Sequence, residues 1–516
     1  MARKISTELH ELIHSMTKDE KRSFKSYVLK SVPKEKKEDR RYLRLFDIIN
    51  KQEIYNESEL LESLNDIKPH QLPGFKNYLY NNILKSLEQS CSESSVEIII
   101  RREINQVQIL YNKGLYVQCE KILNKALKAG LKYEKEILLA DIYSWKKKLV
   151  LHRFSSDEEN KIINEEREIY SKLDKEKEYY WLWLRSASHL NKQRVSRSKT
   201  ESRNWMEKLG NSPYLLDENL AISFFSKHLF YYLKATDSYI KSDFKNILHY
   251  SHKQVDHFKR NPHQIGEDPD AYIVALNNYI IGLVMLEKFK EAAAQLAEFK
   301  NISAGYKLTP ISKAKVFGFY YSHLINIDSV LSNFSGAEKH IADFDSNLPE
   351  HYKYIRRSNL IVIYFNIVTI FFIYKAYKKC LIWINRIFNE FTVDVREDLQ
   401  AITRIISIIS NYELENNDLA LSQINATRHH LKKRKRLHKV ENILLTFLEK
   451  KFSKIIHLND QVSEFQKLKA HLTELQKEDF EKEALSYFDF IAWAESKIEN
   501  KPLSDILREK GKRITS

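Results

Sequence analysis

The stretch Leu110–Leu127, LYNKGLYVQCEKILNKAL, places Gly114 first, then Tyr116 two residues on, Cys119 at five, Leu123 at nine and Ala126 at twelve. This is the turn and second helix of a helical hairpin. The glycine permits a tight turn, the aromatic plugs the angle between helices, and the small residue lets two backbones approach. The grammar returns in degraded form around Phe244, Phe289, Phe334, Tyr377 and Leu419, at intervals of 45, 45, 43 and 42 residues. Only 10 Gly and 9 Pro occur in 516 residues, so tight turns are few and long helices form the bulk. A chain of this length outgrows one simple core, but a stack of repeats escapes that limit because each buries a face against its neighbour.

These offsets resemble the tetratricopeptide repeat, in which Gly, an aromatic, a small residue, a large apolar residue and Ala recur at these positions. The resemblance implies an all-α fold: a superhelical stack of such hairpins, an α-solenoid, behind a small N-terminal helical bundle. The expected layout is a bundle over residues 1–90, degenerate repeats over 91–455 and closing helices over 456–516.

Both ends carry a further resemblance. Leu12-Ile13-x-x-Met16, Lys18-Asp19-Glu20-Lys21-Arg22, Tyr42-Leu43-x-Leu45-Phe46-Asp47, Lys76-Asn77-Tyr78-Leu79-Tyr80 and Ile83-Leu84-Lys85-Ser86-Leu87 stand near the start. Phe488-Asp489-x-Ile491-Ala492-Trp493-x-Glu495-Ser496-Lys497, Pro502 and Leu507-Arg508-Glu509-Lys510 stand near the end. Together they resemble a family of helical-repeat proteins from Bacteroidetes-type bacteria, for which no activity is established. The resemblance implies a bacterial cytoplasm and leaves function open.

The bundle has its own punctuation. Thr17-Lys18-Asp19-Glu20 spells a capping box, in which a hydroxyl takes a free amide and Glu20 reaches back. Pro33 and the charged run to Arg41 separate two apolar stripes, Asn56 caps a third helix, and Pro73 opens a fourth. A DNA-reading helix here would be Phe75–Leu87, but it offers chiefly Asn77, Asn81 and Asn82, so a structural cap is the preferred reading. Residues 155–235 are the least regular. Tyr179–Leu184 is densely aromatic and Asn191–Asn204 reads as a loop or frayed helix. Aromatics beside a basic loop can stack bases, but core packing is favoured. Asn261-Pro262, Gly266–Pro269 and Leu348-Pro349 read as inter-repeat loops. Leu360–Tyr374, LIVIYFNIVTIFFIY, is too short for a membrane span and reads as a helix buried on most sides.

No phosphate-cradling loop, metalloprotease helix or nucleophile elbow occurs, so no catalytic role and no cofactor is expected. Cys91, Cys119 and Cys380 form no paired motif. His249, His252 and His257 lack a carboxylate or thiol to close a metal site, apart from the adjacent Asp256, and read as surface histidines. The net charge of +15 reads first as a Lys-rich solvated surface. Its densest part is Arg428–Lys439, where Arg428, Lys432, Lys433, Arg434, Lys435, Arg436 and Lys439 stand without an acid. That patch suits an anion, and nucleic acid is the alternative partner.

The leading expectation is a protein- or peptide-binding scaffold. Counting back from the turn anchors puts Asn277, Ser322, Asn326, Thr369, Ser407 and Asn411 on the first helices that would line a groove, among Ile281, Phe365 and Phe372. Uncharged amides and hydroxyls match an extended peptide backbone, whereas phosphates call for Lys or Arg.

Overall fold

The computed structural model describes residues 7–30, 37–64, 67–91, 95–152, 156–196, 209–330, 333–453, 458–478, 481, 484–485 and 487–515. Among these the chain is all-α, with no strand. It divides into two compact units, Met1–Ser171 and Lys172–Ser516.

In the first unit, α1 (Glu8–Ser15), α2 (Lys18–Lys30), α3 (Lys37–Lys51), α4 (Glu57–Ser63) and α5 (Leu72–Cys91) pack around Ile13, Phe24, Phe46, Ile49, Leu79 and Ile83. The capping box forms: the Thr17 amide donates to Glu20 Oε2 at 2.7 Å, and the Glu20 amide to Thr17 Oγ1 at 3.2 Å. Asn56 Oδ1 accepts from the amides of Ser58 and Glu59. Pro33 lies outside the described residues. Then α6 (Val96–Asn112) and α7 (Tyr116–Lys132) pair closely, and α8 (Glu136–Val150) packs on α7. Gly114 carries φ 74°, while Cys119, Leu123 and Ala126 are fully buried.

Residues 156–196 form one continuous helix, α9 (Ser156–Ser196), within which the division between the units falls. The charged residues from Glu158 to Leu173, the aromatic stretch and the first polar residues after it therefore share one element. Asn191–Ser196 is helical, and the remainder of the expected loop lies outside the described residues. Helix-forming Glu, Lys, Leu and Arg outweigh the aromatics along that length.

The second unit runs from α10 (Pro213–Leu216) through α11 (Phe224–Ile240), α12 (Phe244–Arg260), α13 (Pro262–Glu267), α14 (Pro269–Met285), α15 (Phe289–Gly305), α16 (Pro310–Val330), α17 (Phe334–His351), α18 (Arg357–Ile373), α19 (Tyr377–Glu390), α20 (Glu397–Glu413) and α21 (Asn417–Lys433). It ends with α22 (Lys439–Ser453), α23 (Leu458–Leu475), α24 (Phe490–Ile498) and α25 (Leu503–Thr515). Consecutive helices pair as α11–α12, α14–α15, α16–α17, α18–α19 and α20–α21. First helices of successive hairpins also touch, α14 with α16, α16 with α18, and α18 with α20.

One backbone device closes the hairpins. In α18 the Phe371 carbonyl accepts from the Ala376 amide (2.8 Å), the Phe372 carbonyl from Lys375 (3.0 Å), and Lys375 adopts φ 59°. The same bonds join Leu283 to Lys288 and Asn411 to Asn416, with Glu287 and Glu415 in left-handed backbone. This left-handed cap satisfies the last carbonyls of one helix and serves at once as the entry to the next. Three residues after each helix start, Ala292, Ala337, Cys380 and Ala420 are fully buried where helices approach. The aromatic starters Phe289, Phe334 and Tyr377 are half-buried.

Three further expectations change, the first being that the loop expected at 261–269 holds the short helix α13, which contains Gly266. The second helix of the last hairpin starts at Asn417, because Glu415 makes the turn, and Leu419 is its half-exposed third residue. Leu348-Pro349 lies inside the end of α17; the chain turns only after His351. Leu360–Tyr374 falls in α18 and its cap, and Leu360, Ile363, Tyr364, Ile367, Val368, Ile370 and Phe371 are all buried. Among the described residues no helix is long and apolar enough to cross a membrane.

Candidate functional site

The carbonyls of Leu283, Asp328, Phe371 and Asn411 each accept the long-range cap bond of a hairpin turn and so mark one register through four first helices. Asn277, Ser322, Phe365 and Ile405 stand six residues before these marks; Ile281, Asn326, Thr369 and Ile409 stand two before. Positions four apart lie on one helix face, so these eight form one row. Contacts across the row join neighbouring helices: Lys315 of α16 pairs with Asp270 of α14, and His323 Nε2 donates to Asn277 Oδ1 at 2.9 Å. Burial pushes the His323 imidazole down to about 4, which keeps it neutral in that bond.

Asn277, Ser322, Asn326 and Thr369 are thus brought into the row. Ser407 and Asn411 are two residues out of register, about 200° around the helix. Asn411 instead clasps its own turn, with Nδ2 donating to Gln423 Oε1 (3.1 Å) and Oδ1 accepting from Asn416 Nδ2 (3.2 Å). The displacement follows from the anchor, which the turn places at Asn417 and not at Leu419.

Polar satisfaction differs along the row. Thr369 Oγ1 donates to the Phe365 carbonyl at 3.0 Å, and Asn277 is held by His323. Ser322 and Asn326 are half-buried, and their side chains make no hydrogen bond among the described residues. Toward α20 the row closes. Ile405 and Ile409 are fully buried, and the C-terminal residues bond α20 at both ends. Tyr487 Oη donates to Asp398 Oδ2 (2.7 Å), Lys497 Nζ to Glu413 Oε2 (2.7 Å), and Phe488 sits edge-on to Phe372 at 5.2 Å. Burial would raise the Asp398 carboxyl, but hydrogen bonds and charge from Arg396 bring it below its ordinary value.

The basic segment spans the end of α21, a turn at Lys435 (φ 56°) and the start of α22. Arg428 pairs with Glu449 (2.7 Å), Arg434 and Arg436 share Glu397 (3.1 and 2.9 Å), and Lys439 pairs with Glu478 (2.7 Å). Lys432, Lys433 and Lys435 are exposed and meet no carboxylate among the described residues. Acids distant in the sequence therefore neutralise over half of a run that contains none.

Arg404 was not visible as a candidate, although it is the one charged residue in the run Ala401–Ser410. Its guanidinium stacks on Phe388 of α19 at 4.6 Å, and its buried Nε has no acceptor. His430 of α21 lies beside it, pushed down in pKa by burial and then by the charges of Arg404 and Arg434.

The three histidines of α12 diverge. His257 bonds the Phe224 carbonyl and stacks on Phe224, while His252 faces Asp256 at 3.6 Å. No cluster of three His, Cys, Asp or Glu side chains among the described residues could hold a metal ion. Of the aromatic run in α9, Tyr179 is fully buried and Trp181 is half-exposed.

Comparison with protein-family models, curated proteins and solved structures returned no match. No family is therefore assigned.

Proposed function

We propose that this chain is a non-catalytic, tetratricopeptide-like scaffold of the bacterial cytoplasm, an α-solenoid whose row of first helices binds an extended protein segment. Sequential hairpin packing, with first helices touching one another, supports the repeat reading. One observation carries the binding reading. Ser322 and Asn326, half-buried between apolar neighbours on α16, keep their donors and acceptors uncommitted. Such groups match the alternating amides and carbonyls of a peptide backbone, which needs both functions and no charge.

A photo-crosslinking residue placed at Asn326 and, separately, at Ser407 tests this in the native host. Capture of one discrete protein from position 326 and none from 407 is the expected result. Equal capture at both positions, or none at 326, removes the reading. Nucleic-acid binding through the basic turn is favoured only by the unpaired Lys432, Lys433 and Lys435. It predicts salt-sensitive retention on DNA or RNA that is lost when all three become Gln.

A further inference from the structure

We propose that the seam between α19 and α21 is a binding site for a single oxyanion group, a phosphate or carboxylate, with the Arg404 guanidinium as its main contact and His430 beside it. Two sibling hairpins, α16–α17 and α18–α19, carry a tyrosine at this place. Tyr321, Tyr364 and Arg404 all stand seven residues before their register marks, Asp328, Phe371 and Asn411. Tyr321 Oη donates to Asp343, and Tyr364 Oη donates to Glu390 Oε2 at 3.0 Å while accepting from Arg386 Nη2 at 2.9 Å. In both, a second-helix carboxylate closes the seam.

The hairpin α20–α21 breaks this pattern twice. It replaces the tyrosine with a cation, and His430 stands where α19 carries Glu390, nineteen residues after the mark in each case. The antiparallel pairing agrees: Asn411 bonds Gln423, and two turns further along both helices the facing residues are Arg404 and His430. The seam thus holds a guanidinium without the acid its siblings supply.

No acid among the described residues repairs this. Glu397, the near carboxylate on α20, is engaged by Arg434 and Arg436. Arg404 meets no ion-pair partner, its Nε has no acceptor, and Phe388 covers one face. A half-buried guanidinium whose Nε is buried without an acceptor is poorly hydrated, and the rest of its planar fork suits an oxyanion, which accepts two parallel hydrogen bonds. His430 adds a third donor, and exposed Lys432 and Lys433 in the same helical turn raise the local concentration of anions.

The test uses the full chain and two probes, inorganic phosphate and acetate, titrated calorimetrically at constant ionic strength. Two variants accompany the parent: Arg404→Met, which keeps the stem over Phe388, and His430→Glu, which restores the sibling carboxylate. Saturable, millimolar binding of at least one probe is expected in the parent. Loss of roughly tenfold or more in affinity is expected in both variants. His430→Glu keeps Arg404 in place and should melt higher than the parent, so its lost binding cannot be ascribed to misfolding. The tighter probe assigns phosphate or carboxylate. Absence of saturable binding to either probe, or binding unchanged in both variants, overturns the proposal.

Discussion

In α16–α17 the Asp328 carboxylate accepts from Asn333 Nδ2 (3.0 Å) and meets His340 Nδ1 (2.5 Å). In α20–α21 Asn411 makes the corresponding two contacts, to Asn416 and Gln423. The two hairpins therefore share a turn, a clasp and a fully buried alanine, Ala337 or Ala420, at the close approach. They differ in what happens to the row before the clasp. Ser322 and Asn326 stay half-open, while Ile405 and Ile409 are sealed beside the Tyr487 and Lys497 contacts. The shared part is backbone and local side-chain chemistry. The difference comes from chain that arrives from far away.

Exchanging side chains between equivalent row positions should break the symmetry most. Ile405→Ser leaves a cavity and buries a hydroxyl, and should cost about 3–4 kcal/mol. Ser322→Ile, the reverse exchange at the open position, should change stability by less than about 1 kcal/mol. Urea midpoints measured on the two variants decide this. Equal losses would mean that the row is covered at both places.

Acid should separate the hairpins next. His323 of α16 is fully buried as the neutral base, with its pKa pushed down to about 4, whereas the equivalent position in α20 is Ile406. The unfolded chain binds this proton from about pH 6.5 downward and the folded chain does not. Stability is thus intact above pH 6.5 and falls by about 1.4 kcal/mol per unit as pH drops toward 4. His228, also neutral and buried, pushes in the same direction. The variant His323→Gln should show a shallower loss of melting temperature between pH 6.5 and 4.5, and an unchanged slope would locate the acid sensitivity elsewhere.

The smallest effect sharpens what the hairpins have in common. Lys375 and Glu415 hold left-handed backbone that disfavours a Cβ, so Lys375→Gly and Glu415→Gly should each stabilise by up to about 1 kcal/mol. Gly114 occupies the same turn position at φ 74°, and Gly114→Ala should cost about 1 kcal/mol. Melting temperatures moving in opposite directions are the expected outcome. Movement in one direction for all three would deny that the turns are equivalent.

Much of this was legible in the residues because it is local. Thr17 and Glu20 sit at the spacing a capping box needs, and Asn56 stands where a free helix start wants an acceptor. Phe289 and Tyr377 open helices because each lies two residues beyond a left-handed turn residue, Glu287 or Lys375, and three before a small side chain. The degraded last repeat broke that legibility. No aromatic marks its start, so Leu419 took the place of Asn417, and two residues of error carried Ser407 and Asn411 from the row into the seam.

Periodicity and caps are interactions within a few residues, so the order of the chain alone determined most of the helices and their pairing into hairpins. Which side of α20 would be covered depended on Tyr487 and Lys497, more than eighty residues away, and no pattern within α20 encodes their arrival. Whether the basic run carried free charge depended likewise on Glu397, Glu449 and Glu478. Burial of a charge and its neutralisation are properties of neighbours in space. The tertiary structure alone decided that Lys439 is paired, that Asn411 is a clasp, and that Arg404 is left without an acid.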